Sequence, residues 1–132
     1  MADTPRTPVR IDGRDATGTV IWEWSGLDGD DTGIPVMMTK FPDMTVQFAI
    51  TTHGGATTTL EGTLDPRGNP AHADHANAVW SAMTDTTETI ISATTTSLPL
   101  TQVLQKAYWV RPKQTGGTGT VSKIWLHGTV RG

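Results

Sequence analysis

The sequence predicts an all-β protein: a two-sheet β-sandwich, jelly-roll-like or immunoglobulin-like, of about eight or nine short strands. Threonine, a β-branched residue that suits extended backbone, is used heavily. The 14 Gly and 8 Pro interrupt the chain at short intervals. Between these interruptions, apolar and polar residues alternate, as in a strand with one face on a core. The 132 residues suffice for one domain with its own core.

The clearest alternation lies in 44–51, where every second residue is apolar: Met44, Val46, Phe48 and Ile50. The Gly-Gly pair at 54–55 predicts a turn, so that 56–64 returns beside 44–51 as a hairpin with Leu60 and Leu64 facing the core. Pro112 is expected to end the strand before it. The predicted strands are 18–24, 34–38, 44–51, 56–64, 78–83, 88–94, 107–111 and 120–130. Residues 98–105 are predicted to form either a strand or one short helical turn.

The five tryptophans fall into two groups. Four lie in apolar contexts that predict core positions: Trp22, Trp24, Trp80 and Trp109. Trp125 shares a strand face with Lys123 and His127, whereas Ile124 and Leu126 occupy the other face. If the aliphatic face is the core, Trp125 points outward, where tryptophan serves as an interface residue or as a platform for sugars. The alternative is a final strand covered on both faces.

Residues 1–16 are polar and show no sustained period, so they are set apart from a sandwich domain at 17–132. A disordered tail is one interpretation of such a terminus. The other is a flexible arm that extends onto a neighbouring subunit, where its arginines pair with acidic groups and its aliphatic residues fill small pockets. The candidate interface residues are Arg6, Val9, Arg10, Ile11, Arg14, Trp125 and His127.

Charge and composition exclude several classes of protein. The net charge is −3 and the Lys and Arg residues are scattered, so a nucleic-acid partner is not expected. No apolar run approaches the roughly 20 residues that span a bilayer, so a membrane partner is not expected either. There is no cysteine for disulfides or thiolate metal sites. The N-terminus lacks the apolar region of a secretory signal, which predicts synthesis in a cytoplasm.

Two clusters have metal-ligand character, but each has a simpler interpretation. His72 and His75, with Asp74 between them, suit zinc by residue type, yet Pro70 and the polar setting favour a solvated loop. The acidic segment 28–31 lacks the spacing and the distal Glu of an EF-hand loop, and an acidic turn between strands explains it. We therefore expect no bound metal.

Catalytic patterns are equally weak. Glu23, Asp43 and Glu61 are the candidate acid/base carboxylates, and nothing in the sequence brings two of them into one cleft. There is no G-x-S-x-G motif, and the glycine-rich segment 116–120 lacks the Lys of a P-loop. The sequence predicts a protein that is not an enzyme, with no catalytic residues and no cofactor.

The order and spacing of short segments resemble a known group of proteins. The segments are G-x-x-x-D-D-T-G-x-P-V (26–36), F-P-D-M-T-V-Q (41–47), G-G-A-T-x-x-L-E-G (54–62), V-W-S-A-M-T-D (79–85), Y-W-V-R-P (108–112) and T-G-G-T-G-T (115–120). Together they span roughly residues 17–130 and resemble the head-decoration, or cement, proteins of tailed bacteriophages. The chain departs from that pattern at 65–77, where a longer loop replaces a short turn.

The resemblance implies a virion structural protein on the capsid exterior. Such a protein forms homo-oligomers, often trimers, bridges subunits of the major capsid protein and stabilises the shell. Two alternatives remain open: a carbohydrate- or receptor-binding sandwich module, on a phage tail or appended to an enzyme, and a tail or connector protein of the same virus. The fold alone does not decide between these functions.

Overall fold

The computed structural model describes residues 5–12, 18–27, 30–52, 57–93, 97–116 and 121–130. These residues contain twelve strands in two sheets, and the predicted two-sheet β-sandwich is confirmed. Two short 3-10 turns, Pro66–Gly68 and His75–Asn77, lie between strands. The strands are β1 Pro5–Arg6, β2 Val9–Asp12, β3 Thr19–Ser25, β4 Thr32–Gly33, β5 Val36–Met37, β6 Asp43–Thr52, β7 Thr57–Thr63, β8 Ser81–Ala82, β9 Ser92–Ala93, β10 Leu98–Gln102, β11 Trp109–Thr115 and β12 Val121–Thr129.

The two sheets differ in size and regularity. The five-stranded sheet has the order β10-β6-β12-β3-β2 and is antiparallel throughout. The seven-stranded sheet has the order β1-β4-β11-β7-β8, with β5 beside β11 and β9 beside β7. Its first pair, β1 and β4, runs parallel. In the described part of the chain, a helix with the length and hydropathy to cross a bilayer is absent.

The core lies between the sheets and is built by alternation. Strands β6 and β12 point every second side chain inward, and strands β7 and β11 face them with Leu60 and Val110. Trp24 is fully buried, and its ring N–H donates to the carbonyl of Ile34 at 3.0 Å. The buried apolar residues are Val20, Trp24, Leu27, Val36, Met38, Phe41, Met44, Val46, Phe48, Leu60, Met83, Ile91, Ala93, Val103, Val110, Ile124 and Leu126.

The predicted hairpin of 44–51 with 56–64 is wrong. Strand β6 pairs with β10 and β12, whereas β7 pairs with β11, β8 and β9 in the opposite sheet. Alternation shows that a strand has one buried face, but it does not show which strand lies beside it. Two strands with this pattern can be neighbours in one sheet, or they can face each other across the core from opposite sheets. Leu60 is buried as predicted, but β7 ends at Thr63, so Leu64 beyond it is 75% exposed.

Strand β11 continues through Pro112, contrary to prediction. The backbone N–H of Gln114 donates to the carbonyl of Asp31. Along a strand, every second backbone N–H points to the same edge. The nitrogen of Pro112 therefore faces the same edge, at the gap where β4 has ended at Gly33 and β5 has yet to begin at Val36. No ladder hydrogen bond is needed there, so proline is tolerated.

Two predicted core tryptophans lie elsewhere. The segment 64–80 folds over the outer face of the seven-stranded sheet. In that layer Arg111 lies 4.0 Å from the ring centroid of Trp80, and the His75 ring meets the Trp80 ring edge-on at 6.5 Å. Gly68 packs beside Trp109. Trp80 and Trp109 are therefore half-buried between this segment and the sheet, while Trp24 lies in the core and Trp22 packs partly buried against it.

The described part of the N-terminal segment pairs with strands of its own chain. Strand β1 adds to β4 in one sheet, and β2 adds to β3 in the other. Residues 1–4 and 13–17 lie outside the described residues. An arm that reaches a neighbouring subunit stays a prediction.

Both edges of the five-stranded sheet carry irregularities. In β10, Pro99 has no backbone N–H, and its carbonyl accepts a hydrogen bond from the Thr101 hydroxyl at 2.8 Å. The pairing of β10 with β6 shifts register between Leu98 and Thr101. The pairing of β2 with β3 shifts between Arg10 and Asp12. Such features discourage the addition of a further strand at these edges.

Candidate interaction surface

The outer face of the five-stranded sheet, which we call the open face, carries Trp125. Ile124 and Leu126 of β12 are fully buried, and successive side chains of a strand alternate, so Trp125 and His127 point outward. Both side chains are partly exposed. The outward orientation predicted for Trp125 is what the structure has.

Strand register places a row of side chains across the open face. Trp125 lies opposite Glu23 of β3 on one side and Gln47 of β6 on the other. Glu23 in turn lies opposite Val9 of β2. Directly opposed residues share a sheet face, so Val9, Glu23, Trp125 and Gln47 form one continuous row. His127 begins the next row.

A groove of about 380 Å³ lies beside Trp125, and we call it the Trp125 groove. It combines apolar walls with hydrogen-bonding groups, which is the composition of a recognition site rather than of a sealed core. Leu100, 74% exposed on the edge strand β10, forms one wall. The lining residues are Ile21, Thr45, Gln47, Leu100, Trp125 and His127.

The polar groups of Trp125 and Glu23 are joined. The indole N–H of Trp125 donates to Oε2 of Glu23 at 2.7 Å. The other oxygen, Oε1, lies 3.7 Å from the ammonium nitrogen of Lys123. Glu23 is thus a hydrogen-bond acceptor and a charge partner on this face.

The other predicted interface residues are spread over the molecule. Val9 is 59% exposed and belongs to the row on the open face. Arg10 lies opposite Trp22 and lines a different depression with Met37 and Lys40. Arg6 belongs to β1 in the seven-stranded sheet. The side chains of Arg6 and Ile11, and the whole of Arg14, lie outside the described residues. The structure therefore brings together Val9, Trp125 and His127.

The histidines of 72–75 stabilise their own loop. Nδ1 of His72 accepts the backbone N–H of Asp74 at 3.0 Å, and Nδ1 of His75 lies 2.8 Å from the carbonyl oxygen of Arg67. Among the described residues, no group of three His, Asp or Glu side chains is arranged to hold a metal ion. The carboxylate of Asp30 accepts the backbone N–H of Gly116 at 2.7 Å, a role within a turn. Asp28 lies outside the described residues.

The candidate carboxylates do not converge. Glu61 forms an ion pair with Arg111 at 3.0 Å on the outer face of the seven-stranded sheet. Glu23 lies on the open face of the opposite sheet. Asp43 begins β6, opposite Thr129. Glu23 and Glu61 are therefore separated by the full thickness of the sandwich, which is too far apart for paired acid/base chemistry.

Sequence reasoning missed the charged cluster that fixes the segment 64–80. The Asp65 carboxylate accepts hydrogen bonds from the guanidinium and backbone N–H of Arg67 and from the backbone N–H of Val79. The Arg67 side chain, followed by those two backbone groups, holds the pKa of Asp65 well below its usual range. An Asp that precedes Pro at the start of a short helical turn was the available signal, because such an Asp caps the turn.

A second apolar patch also escaped sequence analysis. Leu64, Val79 and Tyr108 are 75%, 65% and 45% exposed. Three depressions beyond the end of β7 share Leu64 as a wall. The alternation pattern predicts a core position for Leu64, and this prediction is wrong because the side chain is exposed.

The solved structures that are similar to this chain include those of two proteins. The SPBc2 prophage-derived protein YomS has a TM-score of 0.52 at 13% identity, with 82% of this chain and 92% of that chain covered. PliG of Aeromonas hydrophila, a periplasmic inhibitor of g-type lysozyme, has a TM-score of 0.37 at 13% identity over 96% of this chain and 98% of its own. No family model and no curated protein matches the sequence. The chain shares its fold with a prophage-derived protein.

Proposed function

We propose that the chain is a non-enzymatic structural protein of a tailed-bacteriophage virion, a decoration or cement protein that binds the outer surface of the capsid and stabilises the shell. Its partner is the major capsid protein, and it acts as a homo-oligomer, a trimer, after synthesis in the host cytoplasm. The observation that carries the proposal is the open face, where a half-buried tryptophan lies beside a groove with aliphatic walls.

The composition of the open face supports a protein contact. A central aromatic side chain with aliphatic neighbours is typical of the few residues that dominate an interface. Ile21 and Leu100 supply aliphatic surface beside Trp125, and Val9 extends it across the sheet. On a capsid lattice, many weak contacts of this kind add through effective concentration. A modest single face is therefore sufficient for stable attachment.

The fold and the dispersed charges support a structural role. A prophage-derived protein has the same fold. Glu61 and Glu23 form ion pairs on opposite outer faces of the sandwich, and Asp30 accepts a backbone hydrogen bond within a turn. A shell-binding protein needs a rigid scaffold and a complementary surface, and it needs no reactive group.

The lining of the groove favours protein over carbohydrate. A sugar-binding face is expected to present two or three coplanar aromatic rings, and the Trp125 groove has one indole among its lining residues. The indole N–H is already bonded to Glu23. A glycan-binding function therefore has less support on this face than a protein contact.

Binding to capsids tests the proposal. Shells purified from a phage lacking the protein are titrated with the wild-type chain and with Trp125→Ala. The variant is expected to bind roughly 30-fold more weakly or worse, because an interface aromatic of this kind contributes about 2 kcal/mol or more. Tyr108→Ala is the matched control, since Tyr108 is an exposed aromatic residue away from the open face. Equal loss in both variants would contradict the assignment of the face.

Copy number separates the shell from the tail. Mass spectrometry of purified virions is expected to find the chain in numbers comparable to the major capsid protein. A few copies for each particle would place it in the tail instead. Quenching of Trp125 fluorescence by soluble glycans, without shell binding, would replace the proposal with the carbohydrate-binding alternative.

A further inference from the structure

Glu23 occupies a central position on the open face. It lies in the row between Val9 and Trp125, on the strand that separates the edge strand β2 from β12. Its side chain is 20% exposed, compared with 55% for its charge partner Lys123. Water therefore competes weakly for the Glu23 carboxylate, which strengthens the bonds that it makes.

The bond from Trp125 to Glu23 is short and charge-assisted. Its length, 2.7 Å, lies at the short end for an N–H donor with a carboxylate acceptor. The bond links side chains on adjacent strands whose backbones are held by the β3–β12 ladder. An indole held in this way has fewer orientations to lose when a partner covers it, which reduces the entropic cost of binding.

The same bond decides which part of the indole a partner can contact. The N–H is the one polar group of an indole, and in Trp125 it is already donated to Glu23. The remaining ring surface is apolar, and Ile21 and Leu100 line the same groove, together with the polar side chains of Thr45, Gln47 and His127. A partner in the groove therefore meets the apolar ring surface of Trp125, and hydrogen bonds to the partner come from the other lining residues.

We propose that Glu23 is the positioning residue of the Trp125 groove: by accepting the indole N–H, it fixes the ring in the orientation that a protein partner contacts. This inference rests on the proposed function for the identity of the partner. The positioning of the indole is independent of that identity and is measurable on the isolated chain.

The first experiment follows the indole N–H of Trp125 by ¹⁵N NMR, with Trp125→Phe to assign its signal. In Glu23→Ala, hydrogen exchange at this N–H is expected to accelerate roughly tenfold or more, because a hydrogen bond to a charged acceptor is lost. Glu23→Gln keeps an acceptor oxygen, and Lys123→Ala keeps the carboxylate, so both are expected to stay near wild type. Unchanged exchange in Glu23→Ala would overturn the positioning role.

The second experiment measures attachment of the same variants to shells that lack the protein. Glu23→Ala is expected to bind roughly 3- to 10-fold more weakly, the cost of ordering one freed side chain, whereas Glu23→Gln and Lys123→Ala stay within about twofold of wild type. Wild-type affinity in Glu23→Ala would overturn the role in docking. Failure of the wild-type chain to bind would remove the proposed function, and the exchange experiment would still decide the positioning.

Discussion

Gln114 is a polar side chain whose hydrogen bonds lie in the interior. It is fully buried in β11, its Oε1 accepts the Thr58 hydroxyl at 3.1 Å, and its Nε2 donates to the carbonyl of Leu27 at 3.3 Å. It therefore links β11 to its neighbour β7 and to the segment that follows β3. Buried polar groups with satisfied hydrogen bonds specify one arrangement of the elements around them.

Removing this amide is expected to destabilise the fold. Gln114→Ala should lower the free energy of unfolding by about 2–4 kcal/mol, because it leaves a cavity and deprives the Leu27 carbonyl of its donor. Urea denaturation measures the change. Gln102→Ala removes the same side chain at an exposed position and should cost less than about 0.5 kcal/mol. Similar losses in both variants would show that burial of Gln114 contributes nothing.

Asp65 is expected to make stability depend on pH. Hydrogen bonds, chiefly from the Arg67 side chain, lower its folded-state pKa from an ordinary value of 3.8. A carboxyl with a lowered pKa stabilises the fold fully above its ordinary value, and the contribution is lost as the pH falls toward the folded value. Thermal unfolding from about pH 7 to about pH 2 should show Asp65→Asn melting below wild type at neutral pH.

The difference between the two proteins should narrow as the pH falls below 3.8, since wild-type Asp65 then binds its proton in the unfolded chain. Glu88→Gln, at an exposed carboxylate, is the control and should follow wild type throughout. A difference between Asp65→Asn and wild type that stays constant over this range would contradict the assignment.

At the scale of elements, the junction of β4 with β11 depends on close packing. A Cβ placed on Gly33 would lie 2.5 Å from Cδ of Pro112 and 2.8 Å from Cδ1 of Trp24. Gly33→Ala is therefore expected to lower the free energy of unfolding by about 1–3 kcal/mol through overpacking. The double variant Gly33→Ala with Pro112→Ala should recover part of that loss, because the ring is gone. Strictly additive effects would show that the two sites do not interact.

The elements that sequence could predict are those decided by local alternation. β3, β6, β7 and β12 lie within a residue or two of their predicted bounds. The partner of each strand could not be predicted, because the sequence shows that one face of a strand is buried but not which of the two sheets contains the strand. The predicted end of the strand at Pro112 is wrong for a related reason. A missing backbone N–H interrupts a strand only where a neighbouring strand would accept its hydrogen bond, and the sequence does not show where that neighbour ends.

The candidate site was partly predictable for the same reason. Alternation placed Trp125 and His127 on the outward face of the last strand, and the structure agrees. The bond from Trp125 to Glu23 could not be predicted, because it joins residues far apart in sequence. The core positions predicted for Trp80 and Trp109 are wrong. An apolar sequence context shows that a tryptophan is covered, but not whether it is covered between the two sheets or on the outer face of one sheet.

At the scale of the whole molecule, the two outer faces differ. The segment 64–80 covers part of the outer face of the seven-stranded sheet, where Arg111 lies over Trp80 and Gly68 packs beside Trp109. The open face of the five-stranded sheet has the Trp125 groove instead. The sandwich is therefore asymmetric, because a segment of the chain packs on one outer face and a groove lies on the other.

Hydroxyl-radical footprinting is expected to reveal this asymmetry on the particle. Oxidation of Trp125 should fall several-fold when the chain binds shells, whereas oxidation of Met37 and Tyr108, each 45% exposed away from the open face, should not change. Peptide mass spectrometry measures all three in one sample. Protection of Met37 and Tyr108 with continued oxidation of Trp125 would assign docking to the opposite side of the molecule.

The interrupted edges of the five-stranded sheet have a consequence for crowding. Pro99 supplies no donor, its carbonyl is occupied by Thr101, and β2 loses register at its far end. An uninterrupted edge strand exposes a row of unpaired backbone groups, which is a template for pairing with another copy at high local density. If the proposed function holds, the interruptions would let many copies lie close together on a shell without joining into a continuous backbone ladder through these two edges.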